Sequence, residues 1–274
     1  MLRDVFSDKK VVENHLLNYA GAQVFRSLLS SAAHTFRGVP KSLSETDLTR
    51  KLLRDGYIVL PKFLDRSAFQ KVKDEFFNFA GKECYTPISD GDTRSERYTL
   101  SSEHWNRLPA VAHLLSDTRL VQALEGAERN AIEIGDVWFD TIYNGDPQKG
   151  ADSQKELHSD TFFTTHKVWF FIEPVSVEDG PVCFAPGTNR LSWKRLMFEY
   201  KKSIHFDRFT DYSFRVEPKD KALLGCEEKP LTCPENTLVI ADTSGFHCRG
   251  DAVAGHTRKQ IHFCIRSNKP FSFS

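Results

Sequence analysis

The spacing of hydrophobic positions changes character about halfway along the chain. In the first half, apolar residues recur at three- and four-residue intervals, the spacing of an amphipathic helix. Leu16, Leu17, Ala20, Val24, Leu28 and Leu29 predict a helix from residue 11 to about 36, stopped before Pro40. Such a helix packs on the main domain or at a contact between two copies of the chain. Its polar face is too poor in Lys and Arg for a membrane surface. A second helix from Leu48 leads into a short strand, Gly56 to Leu60, closed by Pro61. Asp65 or Ser67 then caps a helix with the stripe Phe69, Val72, Phe76 and Phe79. Residues 84–107 are polar and irregular around Asp90-Gly91-Asp92 and read as a long loop acting as a lid. One more helix covers about Val111 to Glu125.

From about residue 135 the period shortens to two. Val137 to Tyr143 alternates as a strand, and Asn144-Gly145-Asp146-Pro147 marks a turn. Leu157 to Phe163 reads as a strand, and Lys167 to Glu173 as a central one. Glu178-Asp179-Gly180-Pro181 turns into Val182 to Thr188, and Leu191 to about Ser203 is helical. Thr237 to Asp242 and Arg258 to Arg266 complete the strands. Helices first and closely spaced strands afterwards predict a β core with helices packed against it, in one domain spanning 1–274. Residues 1–45 form a helical extension to it.

Composition narrows the partners. The 37 basic and 37 acidic side chains balance, so nothing global favours nucleic acid or an anionic membrane. Six scattered cysteines without a CxxC pair argue against a zinc ribbon or a disulfide frame and for a reducing compartment. The N-terminus has no apolar signal segment, and no window predicts stable membrane insertion, so the expected location is cytoplasmic. The 22 phenylalanines fit a sheet-rich aromatic core.

The candidate chemistry centres on His158-Ser159-Asp160. On a strand, residues i and i+2 share a face, so this imidazole and carboxylate would project together. Two histidines and one carboxylate hold Fe(II) on one face and leave the other positions open. By itself the pair is weak evidence, because ten histidines give such a pair by chance, and His205-Phe206-Asp207 is a second one. His247 follows an apolar strand 89 residues beyond His158, a gap that lets a two-sheet barrel return to the first strand's end. His205 lies in a polar, basic stretch without alternation and is set aside. In the last strand, alternation places Ile261, Phe263 and Ile265 on one face and Arg258, Gln260, His262 and Cys264 on the other. An arginine inside a barrel needs an anion, and its planar fork suits a carboxylate.

Taken together, His158-x-Asp160, Trp169, Gly180-Pro181, Ala185-Pro186-Gly187-Thr188-Asn189-Arg190, His247 and Arg258 resemble the phytanoyl-CoA dioxygenase family of Fe(II)/2-oxoglutarate oxygenases. The opening Gly56 to Leu64 is similar too, and the likeness covers roughly 48–268. The resemblance implies a double-stranded β-helix, a cupin-like jelly roll, with its core from about residue 135. It implies that His158, Asp160 and His247 are the catalytic metal ligands, that Arg258 binds the distal carboxylate of 2-oxoglutarate, and that Trp169 borders this cosubstrate. The cofactors implied are Fe(II), 2-oxoglutarate and O₂. The reaction implied is hydroxylation of an unactivated C–H bond, since retention of Asp160 disfavours halogenation. The family often has a small hydroxyl residue two places after the distal histidine, where this chain has Arg249, so the second cosubstrate contact differs or Arg249 faces the substrate. His262 reads as a core histidine. The stretch Arg190 to Arg208, with Lys194, Arg195, Lys201 and Lys202, is locally basic and points to a small anionic substrate bearing a sugar phosphate, nucleotide, CoA or carboxylate. Two alternatives stay open: a cupin-like metalloenzyme without 2-oxoglutarate, and a non-catalytic binding protein on the same scaffold.

Overall fold

The structure is a computed structural model that describes residues 5–7, 10–37, 46–145, 150, 152–207, 213–266 and 270–273. Asp146 and Pro147 of the expected turn, Pro40, and Arg208 of the basic stretch lie outside the described residues.

Two antiparallel sheets organise the chain. The larger has seven strands: β1 (Tyr57–Leu60), β2 (Tyr85–Asp90), β3 (Thr93–Leu100), β4 (Val137–Asn144), β5 (Thr165–Phe171), β8 (Thr237–Asp242) and β10 (Thr257–Arg266), in the order β1-β8-β5-β10-β4-β3-β2. The smaller runs β7-β6-β9, from Lys229–Pro230, Val182–Phe184 and His247–Arg249. Strand alternation sorts the side chains of the large sheet between two environments. One face buries Val137, Phe139, Val168, Phe170, Leu238, Ile240, Ile261, Phe263 and Ile265 against helices. Each such aromatic or branched side chain contributes roughly 1.5–3 kcal/mol by leaving water. The helices are α3 (Asp47–Asp55), α4 (Arg66–Asn78), α5 (Pro109–Leu115) and α6 (Thr118–Glu128). The other face meets the small sheet: Trp169, Phe171, Val239 and Ala241 pack with Val182, Phe184 and Leu231. This is the double-stranded β-helix with a helical layer that the sequence predicts, and the β10 alternation falls as read.

Four sequence expectations need correction. Residues 85–100 form the β2–β3 hairpin, turned by Gly91 at φ 54°, rather than an irregular lid. The alternation Thr93, Ser95, Arg97 is polar, but it faces a polar interior, so hydrophobicity hid the strand. The helix near 111–125 is two helices, because Asp117 ends one and caps the next by accepting from Arg119 N. Residues 157–163 are not a strand: His158 makes an isolated bridge and Thr161 Oγ1 donates to Phe163 O at 2.6 Å, a local bond that bends the chain before β5.

The fourth correction concerns the N-terminal extension. It holds α1 (His15–Tyr19) and α2 (Ala22–Phe36), separated by Gly21 at φ 87°. Helix α2 packs on the domain with its polar side inward, burying Gln23, Arg26, Ser27, Ser30 and Ala33. Its apolar stripe turns outward, with Phe25, Leu28 and Phe36 at 53%, 47% and 74% exposure. The polar inward face meets α7 (Trp193–Ile204), whose Glu199 accepts from Ser27 Oγ at 2.7 Å. Helix α8 (Pro218–Leu224) completes the elements.

Candidate metal centre and cosubstrate cavity

His158 and His247 face each other across a narrow backbone pair. His158 N donates to His247 O at 3.0 Å and His247 N to His158 O at 2.8 Å. The imidazole centroids are 4.7 Å apart. Each ring is oriented by a carbonyl: His158 Nδ1 lies 2.7 Å from Glu156 O, and His247 Nδ1 lies 3.0 Å from Gly245 O. A carbonyl only accepts, so both Nδ1 atoms carry the proton and both Nε2 lone pairs are free to ligate. Gly245 is needed here, because a Cβ would sit 2.6 Å from the Phe184 ring.

Asp160 is fixed by its backbone N–H donating to Thr243 O at 2.8 Å. Its Oδ1 is 3.8 Å from His158 Nε2 and its Oδ2 is 3.6 Å from His247 Nε2. One ligand atom from each residue lies within 4.8 Å of the other two, and all three residues are buried. Octahedral donors about 2.1 Å from a cation lie about 3 Å apart, so this set closes on an ion with movements below ~1 Å. Burial, then the neighbouring imidazole, lowers the His158 pKa well below its usual value, and burial lowers that of His247. For Asp160 burial acts to raise the pKa, but Lys167, His247 and His158 together hold it well below the carboxylate range. Two neutral imidazoles and one ionised carboxylate are the donor set that Fe(II) takes. The buried His247 Nε2 has no hydrogen-bond partner, as an atom reserved for a cation would. The residues therefore fit the metal.

His158 and His247 open onto a cavity of about 400 Å³ between the sheets, which Lys167, the partner of Asp160, also lines. Arg258 is buried in its wall, donates to Gly180 O, and has its pKa lowered to about 9 by burial and then by Arg249. Its buried Nε has no partner. Trp169 lines the same cavity, stacked on His262 at 5.5 Å with the rings 4° from parallel. Thus the five residues singled out from the sequence all come together, and His262 joins them as a wall residue. The other pair, His205 and Asp207, is exposed beyond the end of α7, away from the cavity lining.

Several cavity residues escaped the sequence reading. Lys167, two positions before Trp169 and on its face of β5, pairs with Asp160 Oδ2 at 2.7 Å. Arg97 donates to both oxygens of Asp140, at 2.7 and 3.0 Å. Burial works to raise the Asp140 pKa, yet His262 and Arg97 bring it to about 2. The period-two patterns of β3, β4 and β5 carried these positions, had the polar faces been read as interior. Arg249 donates to the buried Asp152 at 2.6 Å. The segment that follows is tied to the β2–β3 turn by Ser153 Oγ donating to Asp90 at 2.7 Å and Lys155 pairing with Asp92 at 2.6 Å. The basic stretch after Arg190 behaves otherwise than expected. Arg195 is buried against Glu199 and Lys202 pairs with Glu217 and Asp220, and no described residue of the stretch lines the cavity.

A double-stranded β-helix with two histidines and an aspartate beside a cavity between its sheets defines a class, the cupin-like metalloenzymes. The chain belongs to the phytanoyl-CoA dioxygenase (PhyH) family, whose model matches residues 52–223. It is accordingly a 2-oxoglutarate-dependent non-haem iron dioxygenase. Among solved structures it is similar to the epimerase SnoN in complex with Fe³⁺, alpha ketoglutarate and nogalamycin RO (TM-score 0.59, 15% identity, 80% of this chain and 82% of that one). It is also similar to EctD from S. alaskensis with 2-oxoglutarate and 5-hydroxyectoine (TM-score 0.55, 13% identity, 85% and 82% covered). A third is HygX from Streptomyces hygroscopicus with nickel and 2-oxoglutarate bound (TM-score 0.50, 14% identity, 78% and 84% covered). At these identities the likeness is one of fold. No curated protein matches the sequence. Among the described residues, no helix is long and apolar enough to cross a membrane.

Proposed function

We propose that His158, Asp160 and His247 hold Fe(II), that Arg258 anchors the distal carboxylate of 2-oxoglutarate with Trp169 alongside, and that the protein hydroxylates a C–H bond of a small anionic molecule. The observation that carries this reading is that the two histidines of the buried His–Asp–His set line the cavity whose wall holds the buried Arg258 guanidinium. Bound iron supplies the oxidative decarboxylation of 2-oxoglutarate by O₂, giving succinate, CO₂ and the oxidising equivalent for the C–H bond. The chain does the rest. Glu156 O and Gly245 O keep the imidazole tautomers, and Arg258 meets a carboxylate with its planar fork. Of the basic side chains lining the cavity, Arg97, Lys167 and Arg249 are each paired with an aspartate (Asp140, Asp160 and Asp152), and Arg258 carries the charge that favours an anionic occupant. The ground for an anionic substrate is thus no longer the stretch after Arg190 but the cavity wall around Arg258 and the paired Arg249 beside it. The family name by itself does not specify phytanoyl-CoA.

Anaerobic Fe(II) titration with and without 2-oxoglutarate, followed by succinate release in air, tests the reading. Tight Fe(II) binding, a new absorption band that needs both components, and succinate formation are expected. Iron binding with no response to 2-oxoglutarate would instead indicate a cupin-like metalloenzyme, and no iron binding a non-catalytic protein.

We further propose that a second copy of the chain covers the outer face of α2. Phe25, Leu29, Ala32 and Phe36 form a stripe that maps onto itself when one helix is reversed against another, pairing Phe25 with Phe36 and Leu29 with the smaller Ala32. The only formally charged residue in α2 is Arg26, which is buried, so like charges do not oppose self-association. Sedimentation velocity should show a dimer that Phe25→Glu with Leu28→Glu converts to monomer. A monomeric wild type, or one that instead sediments with lipid vesicles, would contradict the pairing.

A further inference from the structure

Three buried charged residues lie behind the metal-ligand loops. Glu199 on α7 is 1% exposed and accepts from Arg195 Nε at 2.9 Å and from Ser27 Oγ at 2.7 Å. Arg26, on the inward face of α2, is fully buried and within electrostatic reach of Glu199. Each arginine caps a phenylalanine. The Arg26 guanidinium sits 3.9 Å from the ring centre of Phe162, and that of Arg195 sits 4.4 Å from that of Phe246. Phe162 is two residues beyond Asp160, and Phe246 immediately precedes His247. Phe271 stacks on Phe162 at 5.8 Å. Arg195 also donates to Thr188 O, and Thr188 Oγ1 accepts from Phe246 N at 2.8 Å.

Burying charges is costly, and apolar side chains of similar volume fill such a space at least as stably. Stability alone therefore does not account for the cluster. Its two arms end on the two chain segments that carry Asp160 and His247, and packing against a cation fixes an aromatic ring more firmly than an aliphatic neighbour would.

We propose that Glu199, through Arg26 and Arg195, braces the loops of Asp160 and His247, so that α2, outside the residues matched by the family model, supports the metal centre. The proposal rests on the metal reading given above. Arg26, Arg195 and Glu199 are positioning residues, acting through Phe162 and Phe246. Partners that orient metal ligands typically matter about 10–100-fold in metal affinity, and a brace one layer further out belongs at the low end.

The test uses the full chain and Co(II), whose visible absorption reports coordination geometry without turnover. Arg26→Met and Glu199→Gln should weaken Co(II) binding about tenfold and change its spectrum, measured well below each variant's melting temperature. Ser27→Ala, which removes the hydroxyl that reaches Glu199 and Gln23 O, should weaken it severalfold, and Arg26→Lys should recover part of the loss. Leu124→Ala, a core truncation on α6, should lower the melting temperature and leave affinity and spectrum unchanged. Where the larger changes prevent folding, Ser27→Ala and Arg26→Lys decide. Brace variants that bind Co(II) within about twofold of wild type with an unaltered spectrum would overturn the proposal, as would an equal loss in Leu124→Ala. Wild-type Co(II) binding that His247→Ala leaves intact would refute the metal reading itself, and the brace with it.

Discussion

Asp160 is placed between two imidazoles and one ammonium group, and its expected behaviour follows from those neighbours. Two neutral imidazoles leave the charge of a divalent cation uncompensated, so the carboxylate carries the electrostatic part of the site. Asp160→Ala should abolish 2-oxoglutarate-dependent succinate formation, whereas Asp207→Ala, at the exposed second pair, should leave iron binding unchanged. Retained turnover in the first variant would show that another carboxylate does the work. Arg258 differs in kind, being a cation without an acid of its own in the cavity wall. Truncating one partner of a charge-assisted pair in a closed site costs several kcal/mol, so Arg258→Ala should raise the 2-oxoglutarate requirement by about a hundredfold or more. Lysine should rescue only in part, keeping the charge and losing the fork. Arg249 is already engaged by Asp152, so Arg249→Ala should change that requirement less than about tenfold. The opposite ranking, measured as the 2-oxoglutarate dependence of succinate release, would move the anchor to Arg249.

Among the elements, β5 shows how one strand serves two environments. Lys167 and Trp169 face the cavity, while His166, Val168 and Phe170 face the helices. His166 Nδ1 lies 2.6 Å from Glu128 Oε1 at the end of α6, with both residues buried. Burial acts to lower the His166 pKa, but Glu128 raises it above the usual value. The pair therefore stabilises fully below the unfolded histidine pKa of about 6.5, and that stability is lost as pH rises through the higher folded value. Between about pH 6.5 and pH 9, the melting temperature of the wild type should fall ~2–4 °C further than that of His166→Gln. Parallel curves would show that the pair carries no linked proton. Two of the elements misread from sequence, the β2–β3 hairpin and α2, share a cause. Alternation and periodicity reveal that two faces differ, but not which face is inward. In β3 the polar face lines the cavity, and in α2 the polar face meets the Arg195–Glu199 pair, a contact 172 residues away that no local pattern encodes.

At the scale of the molecule, the two-sheet core and the proposed metal-ligand residues were legible because they rest on local signals with fixed spacing. The apolar strand before His247 and the alternation of β10 survive translation into three dimensions, and His158 and Asp160 still meet although their segment is not the strand that the spacing assumed. The cavity's other charges were not legible, since Arg97–Asp140 and Arg249–Asp152 join segments 43 and 97 residues apart. The account's central claim is that one ion and one cosubstrate share this cavity, and crystals grown anaerobically with Fe(II) and 2-oxoglutarate test it most directly. The account predicts one anomalous peak about 2 Å from His158 Nε2, an Asp160 oxygen and His247 Nε2, with the distal carboxylate of 2-oxoglutarate on Arg258. A peak elsewhere, for example at Glu83, Cys84 and His104, whose side chains also group closely enough to hold an ion, or 2-oxoglutarate seated on Arg249 with Arg258 untouched, would contradict it.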